Sequence, residues 1–258
     1  HDAHGLAPMQ GPLRLSYSMV DQYERCGLCF YLRYVEKLSE GFDERLGVGN
    51  AAHRAMERFT KETAEADSEG RDLPGREWLL DIGREEVLKA WPRGEAVPAG
   101  TVEQVRAQLG LTFDGLVGAS DHTIETEFDV RLGYPTPDGP HTMVAKLDRV
   151  DQSGEGYRII DYKTGRASKK LLEPKADDRQ LGIYAMAARE AFGEDVSGTA
   201  EYWVLSTGER GVIGLDDLFA KEAKLRKKID EAVEGMLAGR YERGDRCSGP
   251  CLSVFPVG

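Results

Sequence analysis

Asp161 and Lys163 stand two positions apart in the run YRIIDYKTG, and Asp148 stands thirteen positions before Asp161. In an extended strand alternate side chains share a face, so the acid and the ammonium lie together while Tyr162 points away. The residues SGEG between the two segments read as a turn that folds the earlier strand back and sets Asp148 alongside Asp161. Two carboxylates at contact distance repel each other unless a cation sits between them. A hard divalent ion with oxygen ligands, Mg2+ or Mn2+, resolves that conflict. Lys163 beside it would orient or help deprotonate a water and offset charge building on a pentavalent phosphorus. The chemistry is that of phosphodiester hydrolysis. Gln180 and Tyr184, four apart on a predicted helix, lean from one face toward Lys163 or a nucleic-acid strand.

The elements that must position these groups follow from changes of hydrophobic period. MVDQYERCGLCFYLRYVEKL reads as a helix capped by Ser18, with Met19, Tyr23, Cys26, Phe30 and Tyr34 on one face. Cys26 and Cys29 are then neighbours on a helix surface. A turn rich in glycine (Gly41, Gly47, Gly49) leads to NAAHRAMERFTKETAEA, a helix carrying His53. Further helices are expected from Trp78 to Trp91 and over TVEQVRAQLGLTFDGLVG. From Thr123 the period falls to two, with Ile124, Thr126, Phe128, Val130 and Leu132 alternating with Glu125, Glu127, Asp129 and Arg131. Two more strands, the helix DDRQLGIYAMAAREAF, the strand GTAEYWVLST, a short edge RGVIGL and one long C-terminal amphipathic helix complete the chain. That order predicts an α/β fold, a mixed central sheet flanked by helices. Residues 1–15 are expected to be a flexible lead and 16–258 one domain, with a helical insert over 54–120, a core over 121–215 and a cysteine tail over 216–258.

The 258 residues suffice for a hydrophobic core without disulfides. The formal net charge of −11 argues against a histone-like coat for nucleic acid but leaves room for a local basic groove. No run of apolar residues reaches the length of a membrane span, so a cytoplasmic protein is expected. The four cysteines lie in two close pairs, Cys26 with Cys29 and Cys247 with Cys251, and a reducing compartment disfavours reading them as disulfides.

Taken in order, GVGNAAHRAME with His53, then Asp148, IIDYKTG with Asp161 and Lys163, and QLGIY with Gln180 and Tyr184 resemble the PD-(D/E)XK nuclease superfamily. The likeness is to its RecB-type branch and spans Ser16 to Cys251. It implies a restriction-endonuclease-like core behind an N-terminal helical region. It also implies that His53, Asp148, Asp161 and the main-chain carbonyl of Tyr162 ligate the metal and that Lys163 is catalytic. Gln180 and Tyr184 would contact DNA or steady the site.

Some members of that branch hold a 4Fe-4S cluster through one early and three late cysteines, where this chain has two and two. Cys26, Cys29, Cys247 and Cys251 are accordingly expected to hold such a cluster, with zinc or no metal as alternatives. Lys169, Lys170 and Lys175, in the loop after DYKTG, are the expected contacts to DNA. The activity implied is a metal-dependent deoxyribonuclease, most naturally an exonuclease on single strands or ends, serving repair or recombination. No G-x-x-x-x-G-K-[ST] segment occurs, so any helicase partner is expected to be a separate polypeptide or a part removed from this one. Rival readings are a non-catalytic DNA-binding module of a larger helicase-nuclease assembly, a restriction-type endonuclease and a redox sensor.

Overall fold

The computed structural model of the chain describes residues 6–38, 44–118, 122–154, 156–245, 247 and 249–254. Gly41 and Glu155, members of two expected turns, lie outside the described residues. In chain order come β1 (Arg14–Leu15), α1 (Tyr17–Arg25), α2 (Gly27–Phe30) and a π-helical turn (Tyr31–Val35). They are followed by α3 (Glu44–Glu69), α4 (Arg76–Ala90), α5 (Thr101–Leu116), β2 (His122–Thr136), β3 (Gly139–Ser153) and β4 (Gly156–Lys163). Then come α6 (Lys169–Leu172), α7 (Arg179–Phe192), β5 (Gly198–Val204), β6 (Glu209–Gly214), α8 (Leu215–Phe219), α9 (Glu222–Leu237) and α10 (Cys251–Val254). The chain divides into two compact units, Phe42–Asp129 with Lys146–Phe219, and His1–Gly41 with Val130–Ala145 and Ala220–Gly258.

In the larger unit β3 pairs antiparallel with β4 through Arg149↔Ile160, β4 runs parallel to β5, and β5 pairs antiparallel with β6. Parallel neighbours need a crossover, and α7 supplies it. The sheet is therefore mixed and the fold α/β, as the sequence implied. The apolar stripes of α3 (Ala52, Ala55, Met56, Phe59), α4 (Leu79, Ile82, Val87) and α5 (Val105, Leu109) form one core with Ile160, Tyr162 and Trp203 of the sheet. Alternation along β4 thus sends Tyr162 toward this helical layer and leaves Asp161 and Lys163 for the α7 side. Gly47 and Gly49 are not in a turn but inside α3. A Cβ at Gly49 would lie 2.8 Å from the Thr164 hydroxyl, so the missing side chain is what lets α3 approach the end of β4.

The smaller unit departs further from expectation. Leu13 and Leu15 are buried and β1 pairs in parallel with the start of β3, so residues 13–15 are not a flexible lead. Ser16, not Ser18, caps α1, its side chain accepting from the Met19 N–H. The helix then breaks at Cys26, whose extended backbone (φ −167°, ψ 106°) ends α1 and begins α2. The predicted C-terminal helix is likewise two, α8 and α9, separated before Lys221. Among the described residues no helix is long and apolar enough to cross a membrane.

Candidate functional site

The end of β4 carries Asp161, Tyr162 and Lys163 into a dense polar cluster. Asp161 Oδ1 accepts hydrogen bonds from Gln180 Nε2 (2.7 Å) and Tyr184 Oη (2.9 Å), both presented by one face of α7. Lys163 Nζ lies 2.6 Å from Asp161 Oδ2 and donates to Gln180 Oε1 at 2.7 Å. Gln180 is thus a strut between acid and base, which its amide can be because it donates and accepts at once. Asp178 caps α7 through the Leu181 N–H and accepts from Tyr202 of β5, which fixes where the strut begins.

Asp148 follows from the β3–β4 register, one step beyond Arg149↔Ile160. Its Oδ2 accepts the Tyr162 N–H at 2.7 Å and lies 3.0 Å from His53 Nε2. The Tyr162 ring packs edge-on against His53 with centroids 5.6 Å apart, and its hydroxyl lies 3.3 Å from that of Thr60. The fold therefore gathers His53, Asp148, Asp161, Lys163, Gln180 and Tyr184 into one region. Glu127 of β2 joins them and was not foreseen. His53, Glu127 and Asp148 each offer a ligand atom within 4.8 Å of the others. The regular alternation of β2 made Glu127 look like a solvent-facing acid. Its positive φ of 51°, unreadable from the sequence, is the departure from that pattern.

Burial governs the electrostatics. Asp161 is 3% exposed, and its carboxyl is pushed up to about 6, first by burial and then by Asp148, against the pull of Lys163. Burial pulls His53 down, but the Asp148 hydrogen bond and the charges of Asp148, Glu127 and Asp161 more than reverse it, so its pKa is raised. Burial and the neighbouring Asp161 hold Tyr184 protonated, as its donated hydrogen bond requires. Glu127 Oε1 is a buried oxygen without a hydrogen-bond partner among the described residues. Three acids around one imidazole, with Glu127 Oε1 and Asp161 Oδ2 both buried and lacking a hydrogen-bond partner among the described residues, suit a divalent cation. Cis ligands at about 2.1 Å from an octahedral ion lie about 3.0 Å apart, close to the His53–Asp148 separation.

In the smaller unit the four cysteines meet although more than two hundred residues separate the pairs. Sulfur distances are 3.7 Å for Cys26–Cys251, 3.3 Å for Cys29–Cys247 and 3.4 Å for Cys247–Cys251. The Gly27 N–H donates to the Glu242 carbonyl at 2.7 Å, and a Cβ at Gly244 would fall 1.8 Å from the Arg25 carbonyl. The tail can therefore reach the break at Cys26 only with glycine at 244. Burial would raise the Cys26 thiol, but hydrogen bonds from the Gly244 and Cys29 backbone and the other thiols bring it down to about 7. Burial dominates at Cys29, which rises to about 11. Four thiols without a carboxylate form a donor set for zinc or an iron-sulfur cluster.

The expected DNA contacts are exposed. Lys169 and Lys170 lie on the single turn of α6, capped by Ser168, rather than in an open loop, and Lys175 follows it. Lys169 is 3.6 Å from Glu173 and Lys170 3.9 Å from Asp178, distances typical of weak surface pairs.

The PD-(D/E)XK nuclease superfamily model matches residues 14–252. The chain belongs to the PD-(D/E)XK nuclease superfamily. Among its relatives is an ATP-dependent helicase/deoxyribonuclease subunit of Lachnoclostridium phytofermentans, 26% identical over 197 residues. That match covers 69% of this chain and 17% of the relative, so the chain spans about a sixth of that protein's length. The Gene 69 protein of Mycobacterium phage D29 is 27% identical over 222 residues, covering 78% of this chain and 77% of that protein. The crystal structure of SSO0001 aligns over 92% of this chain and 93% of that one at 15% identity, with a TM-score of 0.38. Membership of the superfamily and the helicase/deoxyribonuclease relative support a nuclease role and the RecB-type likeness read from the sequence.

Proposed function

We propose that the protein is a Mg2+- or Mn2+-dependent deoxyribonuclease acting on single-stranded DNA or DNA ends, an exonuclease of repair or recombination. The observation that carries this reading is the placement of His53 Nε2 3.0 Å from Asp148, with the Asp161–Lys163 pair held beside them by Gln180 and Tyr184. His53, Asp148, Asp161 and the Tyr162 carbonyl would hold the cation. When bound, it would supply Lewis acidity and lower the pKa of a coordinated water. Lys163 would then orient the attacking water and offset charge on the phosphoryl oxygens, with Gln180 holding its ammonium in place beside Asp161. Lys169, Lys170 and Lys175 would guide the phosphate backbone, and a helicase is a candidate partner.

The experiment is incubation of end-labelled single-stranded and duplex DNA, and of a closed circle, with Mg2+ or Mn2+, comparing the natural protein with Asp161→Ala. Stepwise loss of linear substrate, an intact circle and no cleavage by the variant are expected. Discrete fragments from the circle would assign an endonuclease instead.

The four cysteines are proposed to hold a 4Fe-4S cluster linking the beginning and end of the chain. A second reading is favoured by one measurement: thiolates about 2.3 Å from a single tetrahedral ion lie about 3.8 Å apart. The sulfur separations of 3.3–3.7 Å are near that value. Iron and zinc analysis of anaerobically purified protein, with its visible absorption, separates the two.

A further inference from the structure

Glu127 has no part in the chemistry just described, yet its surroundings are specific. Its backbone takes the left-handed conformation (φ 51°) inside a strand, a strained one for a residue other than glycine. Such a kink in a strand re-aims a side chain, and kinks of this kind concentrate beside active sites. The side chain is only 13% exposed. Oε2 is paired with the Lys146 ammonium. Oε1, buried and without a hydrogen-bond partner among the described residues, lies 3.5 Å from His53 Nδ1. On the opposite side of the same ring, Nε2 lies 3.0 Å from Asp148 Oδ2. The imidazole thus stands between two carboxylates, one on each nitrogen.

A neutral imidazole has one N–H, and the nitrogen that keeps it cannot ligate a metal. If Nε2 held the proton, it would donate to Asp148 and leave no lone pair on the side that faces Asp148. An acceptor at Nδ1 selects the other tautomer and locks the ring, as carboxylates behind metal-bound histidines do. We propose that Glu127 is a positioning residue for His53: its Oε1 accepts the Nδ1–H, so that Nε2 presents its lone pair to a divalent cation shared with Asp148. This role rests on the reading of His53 as a metal ligand. It assigns the strained backbone of Glu127 a purpose, since an unkinked strand would carry the carboxylate along with the alternation that Glu125 and Asp129 follow.

The test uses the whole chain labelled with 15N-histidine, Mn2+ as the probe, and the variants E127A, E127Q and H53A. Proton and nitrogen chemical shifts of the Mg2+-loaded protein report the hydrogen bond at His53 Nδ1–H, and calorimetry reports Mn2+ affinity. The natural protein is expected to show a hydrogen-bonded Nδ1–H. E127A should lose that hydrogen bond and weaken Mn2+ binding by about 10- to 100-fold. E127Q should restore most of both, because the amide oxygen accepts the same proton. An Nδ1–H signal unchanged in E127A overturns the proposal. So does an E127Q variant as weak as E127A, which would make Glu127 a charge-bearing ligand in its own right. H53A should abolish measurable Mn2+ binding. Unchanged affinity there overturns the metal-site reading and this role with it, whereas loss in H53A with none in E127A overturns this role alone. Circular dichroism melts of E127A and E127Q confirm that both variants are folded.

Discussion

The acidic site and the thiol cluster both collect residues far apart in sequence, but by different means. At the acidic site every side chain is held by another: Asp161 by Gln180 and Tyr184, Lys163 by Gln180, Asp148 by the Tyr162 N–H. The cysteines are gathered by main-chain approach, through Gly27 N–H to Glu242 and the close passage of Gly244 past Arg25. Thiol–thiol contacts are weak, and side-chain support for this approach comes from Tyr241, which packs against Tyr23, Phe30 and Tyr31, rather than from the thiols themselves. The first region is organised by its own hydrogen bonds, whereas the proposed metal of the second would add a cross-link that its thiols cannot supply. Metal at the acidic site should therefore govern rate, and metal at the cysteines should govern stability.

The largest test of that contrast is Asp161→Ala. DNA cleavage with Mn2+ is expected to fall by at least about 10³-fold, measured by single-turnover assay, with no loss of melting temperature, because a costly buried charge has gone. Cys251→Ala should do the reverse: loss of bound iron or zinc and a drop in stability of several kcal/mol (about 3–5), read by metal analysis and denaturant titration. A Cys251→Ala protein as stable as its parent would end the distinction. Gly244→Ala sharpens it, since it leaves all four thiols in the chain and blocks only the approach of the tail to Arg25. Substoichiometric metal at the cysteines and a loss of about 1–3 kcal/mol are expected, with Mn2+ affinity at the acidic site unaltered. Tyr184→Phe removes one of two hydrogen bonds to Asp161 Oδ1 and should lower the cleavage rate about tenfold, a smaller effect because Gln180 remains.

Acidity gives the finest discrimination. The Asp161 carboxyl, pushed up to about 6, holds its proton more tightly in the folded than in the unfolded chain. Its contribution to the stability of the metal-free protein is present below pH 4 and lost as pH rises through about 6. Mn2+ needs the ionised carboxylate, and it needs His53, whose pKa is raised, to be neutral. Calorimetric Mn2+ affinity should accordingly rise with pH through that window, while denaturant stability of the metal-free protein declines. A flat affinity profile between pH 5 and 7 would contradict the environment described for Asp161.

Much of the acidic site was legible in the sequence because it depends on strand alternation and register, which are local and periodic. Asp161 and Lys163 share a face, and Asp148 arrives one step past a short hairpin. Gln180 and Tyr184 share a helix face, though their part in bracing Asp161 and Lys163 needed coordinates. Glu127 escaped because a single left-handed residue leaves no mark on a period-two pattern. The smaller unit was less legible for a related reason. The break at Cys26 and the seating of Leu13 and Leu15 are set by contacts with segments over a hundred residues distant. Helical period alone ran α1 straight through Cys26, and the same habit joined α8 to α9.

Tyr162 belongs to two systems at once. Its ring is embedded among the helices with Trp203 and His53, while its amide anchors Asp148. Any loosening of the helical layer is therefore felt at the carboxylates before the chain as a whole gives way. Warmed gradually, the chain should therefore lose the proposed nuclease activity while its ellipticity still reads as native.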